Sequence, residues 1–432
     1  MAILGRNVGL GWTATRKRER ANLTVALIAI AVVALYFVMI GASRLSLTNL
    51  SPSESPDTAR ITYVSHAPIL IEGNDGFLGD NSSTGITRGS GTESDPYVIE
   101  GWQVVGTAPY SKAGIWIRGS DVHFVIQDCE IRDCVGDFTY GILFDDCWNG
   151  TVRNNVFSGN NHAVRLGYFS GDPIDFNNKV IHNTCFNNVA GIVATWMGGL
   201  EISNNTCRFN DWGIWISVTS DNHVANNTCT DNDFGILALV ANDTDLIGND
   251  CSSNNATGIH LYRTNECDLV NNRCSYNNIG VHFRAADWQG SSANNSVDSN
   301  WIEGNERYGI LIDDGNQNNT IWNNSLVCNN GASGVYDPQH VQALDNGTAN
   351  WWNCTEGYGN YWSDWAAPDL NLDGIVDTPY DIDGGAGARD YYPRTESAIV
   401  PEFGHGTSIV FVVVAMIAVV AGAGRRLRWR DS

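Results

Sequence analysis

Two neighbouring repeats of this sequence carry polar heads at matched positions: His260 and Tyr262, then His282 and Arg284 after 22 residues. Asp313 stands in the following repeat. Histidine, tyrosine and arginine together can abstract a proton α to a carboxylate and neutralise the acid group. His260, His282 and Asp313 also have the ligand types of a metal site. Another constellation is Asp369-Leu370-Asn371-Leu372-Asp373-Gly374-Ile375-Val376-Asp377. Its oxygens at Asp369, Asn371 and Asp373, the turn at Gly374, the Ile375 carbonyl and Asp377 follow the opening of a calcium loop. The closing position is Tyr380 instead of Glu. A helix-free calcium-stabilised loop is therefore expected, with Asp381 or Asp383 as substitute ligands; the plainer reading is an acidic turn. Glycosidase chemistry needs two carboxyls about 5–9.5 Å apart. Asp145-Asp146 and Asp313-Asp314 are too far separated along the repeats to cooperate.

A repeat must position these groups. Gly followed by Ile or Val recurs at Gly114, Gly141, Gly191, Gly213, Gly235, Gly258, Gly280, Gly309 and Gly334, and Ala163-Val164 fills one gap. The period is near 22 residues, with occasional insertions. Asn204-Asn205, Asn226-Asn227 and Asn271-Asn272 keep the same phase, as do Asn183 and Asn249. So do Cys185, Cys207, Cys229, Cys251 and Cys274. Three markers in phase predict stacked units. Short β-rich stretches without a helical pattern predict an all-β, right-handed parallel β-helix of about ten coils.

The first and third positions after each glycine are apolar, as in Ile214/Ile216 and Ile259/Leu261. Alternation predicts these inside and positions two and four exposed. The exposed row then holds Trp215, His260, Tyr262, His282, Arg284 and Asp313, with the two histidines ~5 Å apart. An aromatic face such as Trp215 would suit a sugar ring. In-register asparagines are expected to form an amide ladder and to tolerate left-handed turns. Glycine is expected where φ is positive. The cysteine column reads as buried reduced thiols, leaving Cys328 and Cys354 as the pair that would bridge if any does.

Asparagine numbers 47, with 37 between Asn149 and Asn330; that density depletes helix formers and excludes an ordinary mixed α/β enzyme. Net charge is -22 from 25 Lys+Arg and 47 Asp+Glu. Nine of those cations lie in the first 20 or last eight residues, so the stretch from Arg44 to Glu402 carries 16 − 45 = −29. Such a surface repels nucleic acid, and no nucleic-acid partner is expected. Leu23 to Ala42 is uncharged, spans about 20 residues and follows Arg16, Lys17, Arg18 and Arg20. It reads as a membrane anchor or a cleaved signal, with the body exported. A second apolar run, Ser408 to Gly424, precedes Arg425, Arg426, Arg428 and Arg430.

Pro401-Glu402-Phe403, the apolar run and the arginine cluster together resemble the PEF-type C-terminal sorting signal of archaeal surface proteins. That resemblance implies processing by an archaeosortase and loss of the second helix. His66-Ala67-Pro68-Ile69, Gly89 to Trp102, the NNT/GI coils and Gly359-Asn360-Tyr361-Trp362-Ser363-Asp364 resemble archaeal NosD-type β-helix surface proteins. These belong to the carbohydrate-binding and sugar-hydrolase class of β-helices, and the likeness spans residues 61–393. Their label implies copper-site maturation, yet no Met/His/Cys cluster selecting copper stands in this sequence. Asp337-Pro338-Gln339-His340 resembles the Asp-Pro-His motif of alginate epimerases interrupted by Gln339, and reads as a loop leaving the last coil.

The expected organisation is a basic segment at 1–22, a membrane helix or signal at 23–43, a linker at 44–60 and an N-terminal cap at 61–110. The β-helix follows at 111–340 and a calcium-loop cap at 341–394. The linker with the sorting motif (395–407), a membrane helix (408–424) and a basic tail (425–432) complete it. Glycosylation is expected at Asn81, Asn149, Asn242 and Asn346, sequons outside the repeat motif. The leading expectation is a membrane-anchored cell-surface protein that binds glycan or builds the envelope. The alternatives are a surface polysaccharide lyase, epimerase or hydrolase, and a NosD-like metal-delivery accessory.

Overall fold

The computed structural model describes residues 63–106, 112–167, 176–285 and 290–397. The chain divides into Met1–Ile61 and Thr62–Ser432, and every described residue belongs to the second unit. Both expected membrane segments, the Pro401-Glu402-Phe403 motif and the basic ends lie outside the described residues. Among the described residues no helix is long and apolar enough to cross a membrane.

The body is an all-β parallel solenoid with almost no helix. The coil from Glu201 to Asn222 shows how its sequence bends. Strand Glu201–Ser203 ends at Asn204, which takes a left-handed φ of 56°, and Asn205 turns inward. Strand Thr206–Arg208 ends at Phe209 (φ 57°), followed by buried Asn210. Strand Trp212–Ser220 leads to Asp221 (φ 55°) and buried Asn222. His223 then pairs with Glu201, one coil on. Three parallel sheets result. The one built from strands such as Trp212–Ser220, which follow the recurring glycine, is called the glycine sheet and holds eleven strands.

The asparagine pair therefore divides two tasks. Its first member supplies the left-handed bend, which Asn tolerates better than most side chains. Its second member builds the ladder. Asn205 Nδ2 donates to Val180 O at 2.8 Å and Asn227 Oδ1 at 3.0 Å, and its own Oδ1 accepts from Asn183 N at 2.9 Å and Asn183 Nδ2 at 3.0 Å. Every polar atom of this amide is satisfied in the dry core. A second ladder, through Asn188, Asn210, Asn232, Asn254 and Asn277, was not legible from asparagine pairs. Its left-handed partners change from coil to coil: Asn187, Phe209, Asp231, Ser253 and Tyr276.

Two expectations are corrected. The recurring glycines from Gly114 to Gly309 do not have positive φ. They are needed for close approach, since a Cβ on Gly213 would lie 2.5 Å from Gly235 O, and one on Gly235 equally close to Gly258 O at 2.5 Å. Gly334-Val335 is no coil marker but an exposed loop, and the strand stacked on Tyr308–Ile312 is Ala343–Asp345. Cys328 and Cys354 are both free thiols, Cys328 exposed and Cys354 buried. The expected cysteine column is present: Cys185, Cys207 and Cys229 pair in register, all reduced and buried.

The C-terminal cap closes the core with aromatic rings. Trp362 stacks on Tyr380 at 4.0 Å and 9°, and Trp352 lies 5.9 Å from Trp362. Buried Asp390 accepts from Trp362 Nε1 at 2.9 Å, and Asp345 from Trp352 Nε1 at 2.9 Å. Each indole thus seals apolar surface while its N–H stays paired.

Candidate functional site

The glycine sheet brings the predicted row together. His260 pairs in register with His282, and Tyr262 with Arg284, while Trp215 lies two coils from His260 through Leu237. The histidine rings meet edge to face at 5.0 Å. Asp313 follows the next strand, and its Oδ2 lies 3.2 Å from His282 Nε2. All five candidates, His260, Tyr262, His282, Arg284 and Asp313, occupy one outward strip.

Outward is not exposed, however. Trp215 retains 5% of its accessible surface, His260 2%, Leu237 4% and Leu311 6%. The expected exposure at the second position after glycine is corrected. Large neighbours explain it: Trp212 packs on Trp215 at 5.5 Å and Phe234 meets His260 edge-on at 5.5 Å. Tyr262, His282, Arg284 and Asp313 remain half-buried, so the accessible part of the strip is its polar margin.

Burial sets the electrostatics. It pushes the His260 pKa well below the ordinary histidine value, and His282 and Arg284 add to the depression. His260 is thus a neutral imidazole at pH 7, and its buried Nδ1 has no hydrogen-bond partner. A base so far below neutral pH accepts a proton poorly in a reaction.

The metal candidates do not converge. Among the described residues no group of three or more His, Cys, Asp or Glu is placed to hold a metal ion. The His260/His282/Asp313 option is a row, not a coordination sphere. The loop from Asp369 to Asp377 is closed by its own backbone: Asp369 accepts from Leu372 N at 2.7 Å and Gly374 N at 3.0 Å, and Asp377 from Leu370 N at 2.7 Å. Asn371 donates to Asp373 at 2.9 Å, and Asp373 accepts from Ile375 N at 2.9 Å. The side-chain oxygens of Asp369, Asp373 and Asp377 are thus engaged by the loop's own N–H groups.

Of the sequons, Asn81 and Asn346 are exposed. Asn149 and Asn242 are half-buried and already hydrogen-bonded, to Asp121 O and from Asn265 Nδ2. The interrupted Asp-Pro-His segment is the loop it was read as, with His340 exposed and its Nδ1 2.7 Å from Asn330 O.

One cluster was missed. Tyr140, His162 and Arg165 share the outward face of the glycine sheet nearer the N-terminal cap. Ala163-Val164 registers only as a gap in the glycine pattern. The same offset that locates His260 and His282 locates Arg165, two residues after Ala163.

Residues 57–207 match the family model described as "Right handed beta helix region". With the parallel stacking above, the architecture is settled. The chain is a right-handed β-helix. Residues 175–297 of this β-helix match a second model, described as "Periplasmic copper-binding protein (NosD)". No curated protein matches the chain. Among solved structures it is similar to the A-module of the Azotobacter vinelandii mannuronan C-5 epimerase AlgE6. That likeness has 16% identity and a TM-score of 0.42 over 61% of this chain and 78% of the other. It is similar also to the periplasmic alginate epimerase AlgG, at 14% identity and a TM-score of 0.41 over 66% of this chain and 80% of the other. The Dettilon tailspike protein follows at 15% identity and a TM-score of 0.36, over 61% and 60%. For copper, burial disfavours the thiolate at Cys147 and Cys267, pushing both up to about 12. The described residues do not fit a copper centre.

Proposed function

We propose that this β-helix is a surface protein that binds glycan along the outward strip of the glycine sheet without turning it over. The carrying observation is the neutral, desolvated His260 packed edge-on to His282 at 5.0 Å. At its accessible margin the strip sets Tyr262 beside His282, Arg284 and Asp313, polar heads that can exchange hydrogen bonds with sugar hydroxyls. Placement outside the cytoplasm is supported by the periplasmic description of the matched model and by the apolar terminal run at Leu23–Ala42. Anchoring in a membrane, with PEF-type processing by an archaeosortase, completes the proposal. An envelope-building rod uses the same body.

Affinity electrophoresis of the full chain through gels containing different polysaccharides tests this reading. Retardation by at least one glycan, reduced in Tyr262→Ala and Arg284→Ala, is expected. Unretarded migration in every gel contradicts it.

A specific observation favours a second reading, a polysaccharide lyase, epimerase or hydrolase. The His282–Asp313 contact at 3.2 Å holds one imidazole beside Tyr262 and Arg284, where it could serve as a base.

A further inference from the structure

The missed cluster lies four coils from His260 along the same column of outward positions, through Val193, Trp215 and Leu237. That is ~19 Å by strand stacking. Arg165 stands there with its guanidinium 5.7 Å over the Tyr140 ring, and Tyr140 lies 5.4 Å from the His162 ring. One donor is used, Nη2 to Thr195 Oγ1 at 3.0 Å. Nε is buried without a hydrogen-bond partner. The Nδ1 of His162, a residue only 7% exposed, is equally orphaned. An orphaned donor on a half-buried cation is costly unless a ligand supplies the acceptor.

Burial works against the Arg165 cation, and Tyr140 and Asp145 offset only part of that cost. Asp145, the acid on this face, sits 3.9 Å from Lys112 Nζ and 3.9 Å from Arg118 Nε. Burial pushes the His162 pKa down to about 3 and raises that of Tyr140, so both are neutral at pH 7. The next outward residue is glycine, whose missing side chain leaves a methyl-sized gap: a Cβ there would meet Thr195 Oγ1 at 3.6 Å, an ordinary contact. A Cβ on Gly167 would stand 3.9 Å from Nε and 4.0 Å from Nη2 of Arg165.

We propose that Arg165, His162 and Tyr140, with the space beside Gly167, form a subsite for one carboxylate of an acidic sugar. A guanidinium matches a planar carboxylate in two parallel hydrogen bonds. The subsite rests on the reading of this face as a glycan-binding surface, and adds the charge of the ligand. With −29 between Arg44 and Glu402, a densely charged polyanion is repelled. The ligand class is a glycan with sparse uronic acids.

The full chain, kept in mild detergent, is titrated with a uronic-acid-containing trisaccharide and with its methyl ester. The acid is expected to bind about ten-fold tighter than the ester. Arg165→Gln should erase that preference, and so should Gly167→Val, which fills the space while keeping the cation. Equal binding of acid and ester, or a preference surviving both substitutions, overturns the subsite and leaves the glycan reading standing. Free glucuronate is also titrated into chain carrying 15N-labelled histidine. A shifted His162 resonance in the parent and none in Arg165→Gln is expected. That response without binding of either trisaccharide keeps the carboxylate subsite and overturns the glycan reading. No response in the parent overturns the subsite.

Discussion

The imidazole of His282 is tied to Asp313 across one coil, Nε2 to Oδ2 at 3.2 Å, at the exposed margin of the glycine sheet. The side chains keep 13% and 36% of their surface, so the contact is partly screened by water. It orients the ring more than it stabilises the fold.

Asp313→Asn keeps the shape and removes the charge. Its effect on unfolding free energy is expected to stay below about 1 kcal/mol. Retention on the preferred glycan should weaken by roughly three- to ten-fold, the loss of one charge-assisted hydrogen bond. Denaturant melts alongside binding titrations separate the two effects.

Asn227 offers a test of the ladder. Its Oδ1 accepts from Asn205 N and Asn205 Nδ2, both at 3.0 Å, and its Nδ2 donates to Ile202 O at 2.8 Å. Asn227→Ala leaves those groups unpaired in a dry core, at roughly 1–3 kcal/mol for each unsatisfied group. Urea unfolding should show a large fall in midpoint, whereas Asn226→Gly, at the exposed left-handed position, should cost little.

His260 makes stability depend on pH. Its folded pKa is depressed by burial, so the unfolded chain takes up the proton first on acidification. The stability it contributes is complete above the unfolded value of about 6.5 and is lost as pH falls below it. His162, pushed down to about 3, acts with the same sign. His260→Leu should flatten the decline in melting temperature between pH 7 and pH 5, read by circular dichroism. An unchanged slope would show that the ring is already solvated.

Calcium at the Asp369–Asp377 loop is a proposal that rests on ligand types and spacing. Saturating Ca²⁺ should raise the melting temperature by a few degrees through binding linkage. Asp373→Ala should abolish the shift, and Mg²⁺ should not reproduce it. A melting temperature indifferent to Ca²⁺ reduces the segment to a self-capped turn.

The sequence made the coils legible wherever one residue type had to recur. Asn205, Asn227 and Asn272 repeat because an amide ladder needs identical neighbours. The second ladder was hidden because many side chains, Phe209 and Tyr276 included, can occupy its left-handed bend. Glycine position was correct and its reason was not: Gly235 avoids the carbonyl of Gly258, a contact between coils that local backbone reasoning cannot see. Alternation placed His260 and His282 on one face. It could not foresee that Phe234 would bury His260, because burial on an outward face depends on neighbours in adjacent columns. Arg165 escaped because its coil carries Ala163 where the others carry glycine.

The most direct test of glycan binding without turnover exposes the full chain to a polysaccharide panel. Retention and the release of reducing ends or unsaturated uronate are followed in the same samples, with His282→Ala as the control. Retention of at least one glycan, with no new ends formed by either protein, is expected. Turnover by the parent that disappears in His282→Ala would contradict it and make the His282–Asp313 strip an active site.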